Sequence, residues 1–539
     1  MTVMGTLLNH VPRFLRPLVD RILKSPIGFR LAKSAFWSLM GTVIARGLGL
    51  VSSIVVARVL GNVTFGELGI IQSTFGMFQL FAGFGLGLTA GKYVSEFRGG
   101  DPQRCGRIMG LSSMAAAVTG GLAAVAILVL APWLAAETLA RPELTGLLRI
   151  CSIMLLLGAL TGAQNGALAG FEAFKTIANI SLFSGIISFP LMVGGVYFAG
   201  LTGAVWGLTA SMAANWALNV LALRRQARSA NIPVIFSRAC LGEWRILWRY
   251  SLPAVLSGTL VAPVVWIGNM LLVNQPNGYA QMGIFNAANQ WRTLAIFLPN
   301  IVSSVVLPVL SSYSGSGAAQ KTGFGSTLRI AYSGIVLLAI PTVVTMCVLG
   351  TLIARLYGKG YSGMEATLVA LIYCAGVQAL GSLSGSSICA KGAMWFGLLV
   401  NCIWAASFLG AFCFFLRQAG SLGLGLSYAI SYLIMNLVTL IPLSILKVFP
   451  WPLTTRTIIG ALVLAPLCFL PTFLKGSLQL WMSPAAVILA VLAAWRLSLV
   501  RPGAWQQAEA AREAATATAS GVVSAGEDPD ASRLGPPRE

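Results

Sequence analysis

Apolar runs of roughly 20 residues recur along this chain from residue 36 to residue 500, and no other feature constrains its folding as much. An α-helix rises 1.5 Å per residue, so a run of about 20 matches the ~30 Å hydrocarbon core of a bilayer. Composition agrees: 57% of the 539 residues are hydrophobic and 9% are charged. A soluble protein carries roughly 25% charged residues to keep its surface in water. Inside hydrocarbon each backbone N–H and C=O must be satisfied within the structure, which a lone apolar segment achieves only as a helix. The sequence therefore predicts an all-α polytopic membrane protein.

Fourteen transmembrane spans are expected, near 36–57, 67–90, 108–130, 147–169, 176–199, 202–222, 250–273, 280–308, 328–353, 366–390, 394–416, 422–446, 457–474 and 483–500. The last two are the weakest, because Pro466, Pro471 and the short spacer 475–482 leave room for a hairpin that does not fully cross. The distribution of lysine and arginine tests the count. With residues 1–35 inside, 24 basic residues fall on the cytoplasmic side and 7 on the other, alternating loop by loop. That is the positive-inside pattern, and it places both termini in the cytoplasm.

The segments divide accordingly. Residues 1–34 form a basic cytoplasmic and interfacial N-terminal segment, 35–222 a first six-helix lobe, 223–249 a basic cytoplasmic linker and 250–446 a second six-helix lobe. Residues 447–500 supply two additional transmembrane helices, and 501–539 a disordered cytoplasmic tail poor in apolar bulk. "VPRFLRPLVDRILKSP" and "LGEWRILWRY" each read as a basic helix lying in the interface, or as a basic anchor without fixed structure. The net charge of +21 then reflects topology and contact with anionic membrane lipids, not nucleic acid. No cleavable signal is read, since the first apolar run starts late and lacks a small-residue cleavage site. Nine cysteines show no C-x-x-C spacing and the single histidine, His10, lies outside the spans, so no metal, cofactor or catalytic set is expected. Cys105 and Cys240 fall in cytoplasmic loops, where a thiol reagent would find them.

The stretch "VVARVLGNVTFGELG" (55–69) reads as a tight hinge between the first two spans. Arg58 complements a helix C-terminus and snorkels outward, Gly61 ends the helix in a left-handed cap, Phe65 anchors at the interface, and Glu67 favours the next helix N-terminus. "FGELGIIQ" at 65–72 lines up with "YAQMGIFN" at 279–286, 214 residues or six predicted helices later. "ALAGFEAF" and "ICAKGAMWF" echo one another less clearly. An even number of helices per unit gives parallel repeats related by an axis along the membrane normal, so the plan is two six-helix bundles facing a central cavity.

These motifs carry a family resemblance. "ARVLGNVTFGELGI", "GFGLGLTAGKYVSEFRGGD", "GALAGFEAFK", "YSLPAVLSG", "GYAQMGIFNAANQW…LP…VVLPVLSS" and "LYGKGYSG" follow in order over roughly residues 34–446. Together they resemble the polysaccharide flippases of the multidrug/oligosaccharidyl-lipid/polysaccharide exporter superfamily. The resemblance implies twelve or fourteen spans, two lobes, alternating access, and a bacterial cytoplasmic (inner) membrane location. The implied cargo is an undecaprenyl-pyrophosphate-linked oligosaccharide repeat unit for O-antigen, capsule or exopolysaccharide. The implied protein partners are a polysaccharide polymerase and a chain-length regulator. A multidrug exporter and a flippase for lipid-linked peptidoglycan precursors are the alternatives within the superfamily.

A pyrophosphate crossing hydrocarbon needs cationic and hydrogen-bonding groups shielded from lipid, and charge at bilayer depth is costly enough to mark function. Arg46 lies near the middle of the first span, and Arg292 lies about 18 Å into the eighth at 1.5 Å per residue. No acidic residue is predicted at similar depth. Asn286, Asn289 and Gln290 gather near Arg292, with Asn289 one turn away, and amides suit sugar hydroxyls. Trp291 is placed to stack on a sugar ring. Asn215, Asn219, Asn269, Gln378, Asn401 and Asn436 read first as helix-to-helix hydrogen bonds. Gly47 and Gly49 are read as sites of close packing or bending beside Arg46.

Rival functions find less support. Carboxylate-coupled drug export would place an acid inside the membrane, yet the fifteen acidic residues fall in loops, tails or helix ends, Glu67 being the deepest. A polymerase would carry catalytic groups on a long outer loop, and the longest, near 131–146, offers only Glu137, Arg141 and Glu143. "GSGAAQKT" (315–322) misses a phosphate-binding loop at Gln320 and reads as a flexible connector.

Overall fold

The computed structural model describes residues 26–83, 85–233, 238–244, 260–313, 318–473 and 477–498. Residues 11–25 of the expected interfacial helix, the stretch 245–250 and the tail 502–539 lie outside them. No strand occurs among the described residues.

The chain divides into two compact units, Met1–Ala287 and Ala288–Glu539. The first holds α1 (Pro26–Gly83), α2 (Leu86–Phe97), α3 (Pro102–Trp133), α4 (Thr145–Gly170), α5 (Phe174–Ser229) and α6 (Val261–Val273). The division falls inside α7 (Gly278–Ala295). The second unit continues with α8 (Phe297–Ser312), α9 (Ala318–Val348), α10 (Gly350–Tyr357), α11 (Met364–Ala390), α12 (Met394–Ile445), α13 (Trp451–Phe473) and α14 (Ser477–Leu497). "GSGAAQKT" is thus not all connector, since α9 begins at Ala318.

The surface is that of a membrane protein. Val118, Leu122, Val125 and Val129 are 57–70% exposed along one face of α3. Spacings of four, three and four keep them on that face, where only lipid makes such exposure tolerable. Ile488, Leu489, Leu492 and Trp495 do the same on α14.

Among the described residues nine helices are long and apolar enough to cross a bilayer, or ten when α7 and α8, bent by 43° at one break, count as one span. Two of these helices each carry two expected spans joined without a loop. Helix α1 is interrupted by one residue, Gly61, at φ 75° and ψ 171°. That region of backbone space is open essentially to glycine alone, so the left-handed cap expected there is replaced by a sharper single-residue break. Helix α5 is interrupted at Ala199 and Gly200, the latter at φ 55° and ψ −131°. A Cβ on Gly203 would strike the Gly195 carbonyl and one on Gly207 the Leu191 carbonyl. The two halves of α5 therefore double back in backbone contact. Helix α12 breaks in the same way at Gly420, φ 48° and ψ −122°. The described parts of two further expected spans are the apolar helices Val261–Val273 and Pro484–Leu497.

The internal repeat extends from side chains to turns. After α4, Glu172 adopts φ 57°, and after α11, Gly392 adopts φ 70°. The N–H groups of Phe171, Glu172, Ala173 and Phe174 donate to Ala167, Ala169, Leu168 and Glu172. Those of Lys391, Gly392, Ala393 and Met394 donate to Ser387, Cys389, Ile388 and Gly392, the same pattern 220 residues on. Asn231 and Lys447 end α5 and α12 with matching positive φ, 53° and 57°.

Three local expectations change. Phe65 is 2% exposed and belongs to the core of the first unit rather than an interface. Cys105 and Cys240 are both buried, so loop placement does not make them reactive. Gly47 and Gly49 have open space where a Cβ would stand, which removes close packing as their role.

Candidate functional site

Among the described residues helix α11 is the most enclosed span of the second unit, most of its residues from Thr367 to Ser387 being buried. A helix enclosed on all sides puts any polar side chain into protein rather than lipid. Gln378 is such a side chain, and it meets the end of α7. Arg292 Nη1 donates to Gln378 Oε1 at 3.2 Å, and Arg292 Nε donates to Asn289 Oδ1 at 2.7 Å one turn back along α7. The guanidinium also lies over the ring of Tyr428 on α12, 5.2 Å from its centroid. Tyr428 is itself held edge-on against Phe408, 4.7 Å between centroids, and near Trp404 at 6.4 Å.

Each partner of Arg292 is neutral. Among the described residues no carboxylate lies within ion-pair distance of it. The amide oxygens and the ring face orient the guanidinium without cancelling its charge. A half-buried, oriented, uncompensated cation is the arrangement that receives an anion, and guanidinium geometry matches phosphate oxygens two at a time.

The other expected site residues are distributed as follows. Asn289 joins Arg292 directly. Gln290 is half-buried and takes no part in that bond set. Asn286 belongs to the first unit, where it is 8% exposed, packs on Gly69, and has no hydrogen-bond partner for its Nδ2. Arg46 also lies in the first unit, on an exposed position of α1. Trp291 Nε1 donates to Tyr357 Oη at 3.0 Å, which fixes the indole to α10. Asn269 donates to Ser73 Oγ at 2.8 Å and Asn436 to the Val377 carbonyl at 2.8 Å, both between helices, whereas Asn219 bonds Asn215 within α5. Gln378 had the same helix-to-helix reading, and its bond to Arg292 makes it part of the site. Tyr428 carried no polar signal in the sequence beyond the serines beside it, so its place under a guanidinium was not legible.

The described helices are those of a multi-span membrane protein. The chain belongs to the polysaccharide biosynthesis protein family, whose model matches residues 31–314, more than half its length. It is 24% identical over 431 residues to the EPS I polysaccharide export inner membrane protein EpsE of Ralstonia solanacearum, covering 78% of this chain and 94% of that one. The corresponding protein of Ralstonia nicotianae is 24% identical over 404 residues, covering 74% and 90%. Among solved structures, the fold is similar to the lipid II flippase MurJ in an inward closed conformation, with TM-score 0.63, 16% identity, and coverage of 85% and 97%. It is also similar to an inward-facing MATE family multidrug resistance transporter of the MOP superfamily, with TM-score 0.61, 17% identity, and coverage of 77% and 99%.

Proposed function

We propose that this protein is a flippase of the bacterial cytoplasmic membrane that carries lipid-linked oligosaccharide repeat units to the outer leaflet for surface polysaccharide assembly. The observation that carries the reading is Arg292, held by Asn289, Gln378 and Tyr428 with no carboxylate beside it. The Ralstonia relatives, polysaccharide export proteins of the inner membrane by name, support polysaccharide export and an inner-membrane location. The cargo is an undecaprenyl-pyrophosphate carrying a sugar repeat unit. Its pyrophosphate pairs with Arg292, amides such as Asn286 and Gln290 meet sugar hydroxyls, and Arg46 on α1 supplies a second cation during transit. The chain crosses the membrane fourteen times with both termini inside, α1, α5 and α12 each contributing two spans. Six-helix lobes and two extra C-terminal helices complete the plan, and no bond in the cargo is made or broken.

A charge-assisted hydrogen bond contributes about 1.5–3 kcal/mol, so losing one weakens headgroup binding roughly ten- to a hundredfold. Arg292→Gln, expressed at normal level, is expected to reduce surface polysaccharide by that order while lipid-linked repeat units accumulate. Arg292→Lys keeps the charge without the fork and recovers part of the export. Arg46→Gln follows the same direction. Normal export by both glutamine variants would overturn the reading.

A further inference from the structure

The two copies of the repeated motif touch each other inside the first unit. A Cβ on Gly66 would collide with the Tyr279 carbonyl, and one on Gly283 with the Asn62 carbonyl. A Cβ on Gly69 would stand 2.9 Å from Asn286 Nδ2. The second half of α1 and the first half of α7 therefore cross backbone to backbone. The same face of α1 continues with Ser73, which accepts from Asn269, and Thr74, which accepts from Trp266 Nε1 at 2.9 Å. The result is a seam of glycine, hydroxyl and amide groups between α1 on one side and α6 and α7 on the other.

Two polar atoms in this seam are buried with no hydrogen-bond partner, Asn286 Nδ2 and Asn269 Oδ1. A packing surface that never parted would be expected to satisfy them, because an orphaned buried amide opposes the closed state. Small residues also let the helices separate without extracting large side chains from sockets.

One end of the seam is tied by the segment after α3. There the chain makes a π-helical turn at Leu134–Thr138, and Ala140 takes φ 50°. That geometry sets Arg141 between the two motif copies. Its Nη1 lies 3.1 Å from Glu67 Oε1 on α1, and its guanidinium lies 4.9 Å from the ring centroid of Tyr279 on α7. Tyr279 Oη donates to the Leu139 carbonyl at 2.6 Å, and Asn274 Nδ2 to the Thr138 carbonyl at 2.7 Å. Glu67 is 9% exposed, so the pair is shielded from water on the carboxylate side. Glu143 also approaches Arg141, at 3.7 Å, but is largely exposed.

We infer that this seam is an outward gate and that Glu67, Arg141 and Tyr279 form the latch holding it shut, a reading that rests on alternating access with the termini inside. When the latch releases, α7 leaves the Gly66–Gly69 face and the orphaned amides of Asn269 and Asn286 meet water or cargo. The latch ties α1 to α7 through Arg141 of the 134–141 segment, so its loss weakens the seam while each helix stays formed.

The test reads the seam and not the cargo. In spheroplasts bearing the full-length chain with Asn286→Cys, labelling by a membrane-impermeant maleimide is followed per inserted molecule. Adding Glu67→Gln or Arg141→Gln is expected to speed labelling about fivefold or more, the order by which one coupling shifts a two-state balance. The charge-swapped pair Glu67→Arg with Arg141→Glu is expected to bring the rate back toward that of Asn286→Cys alone, which a merely loosened fold would not do. Unchanged labelling in both single variants, or a swap as fast as the singles, would overturn the latch. Should labelling respond while Arg292→Gln exports normally, the gate stands and the cargo reading falls. The reverse result removes the gate alone.

Discussion

Arg292 is oriented by an amide oxygen on each side and an aromatic face beneath it, and that neutrality makes a sharp prediction at Gln378. Gln378→Glu replaces a neutral acceptor by a carboxylate of nearly the same shape. The new carboxylate would pair with the guanidinium and compete with any incoming phosphate. If Arg292 serves only to hold helices together, the pair strengthens the fold and export continues. If Arg292 receives an anion, Gln378→Glu is expected to keep protein in the membrane yet reduce export at least as far as Arg292→Gln does. Gln378→Leu leaves one guanidinium N–H without its acceptor, a cost of about 1–3 kcal/mol, and is expected to reduce export less. Comparing the three strains for surface polysaccharide at equal protein level decides the matter.

At the scale of elements, this protein joins spans by single-residue breaks and sets helices close through glycine. Gly66 and Gly283 sit where a methyl group would meet a backbone carbonyl, which cannot swing aside as a side chain can. Gly66→Ala is therefore expected to cost about 1–3 kcal/mol, the usual penalty for overpacking, and to lower the melting temperature of the purified protein. Gly49 has open space at the same position, and alanine there carries a better helix propensity. Gly49→Ala should leave the melting temperature unchanged or raise it slightly. Equal effects at the two positions would mean that the crossing of α1 and α7 is not a close one. The recurrence of the same turns after α4 and α11, and of glycine breaks in α5 and α12, shows the repeat most plainly in backbone form.

For the whole molecule, the topology has a direct measurement. Glu143 and Glu172 are both exposed, and the expected orientation puts them on opposite faces of the membrane. A membrane-impermeant thiol reagent applied to intact spheroplasts is expected to label Glu143→Cys readily. Glu172→Cys should label only after permeabilisation. Cys105 and Cys240 should remain slow throughout, because burial shields both from the reagent. Labelling of Glu172→Cys from outside would reverse the orientation and with it the side on which the latch lies.

The sequence alone determined the solvent of this protein and much of its local geometry. Apolar run length and sparse charge are properties of consecutive residues, and a bilayer filters segments one at a time, so the all-helical, multi-span class was legible. The need for glycine at residue 61 was equally legible, as was the pairing of Asn289 with Arg292, since residues three apart share a helix face. Tertiary structure decided the rest. Gln378 lies 86 residues beyond Arg292, and Glu67 meets Arg141 from another helix. Hydropathy made Phe65 an interfacial anchor and Gln378 a routine interhelical bond, because it records how much a residue avoids water and not which neighbour it finds. Two helices among the described residues carry two expected apolar runs each, broken at Gly61 and at Ala199–Gly200. Whether a chain turns through a loop or through one glycine depends on how closely the flanking helices pack, and that is settled only when they meet.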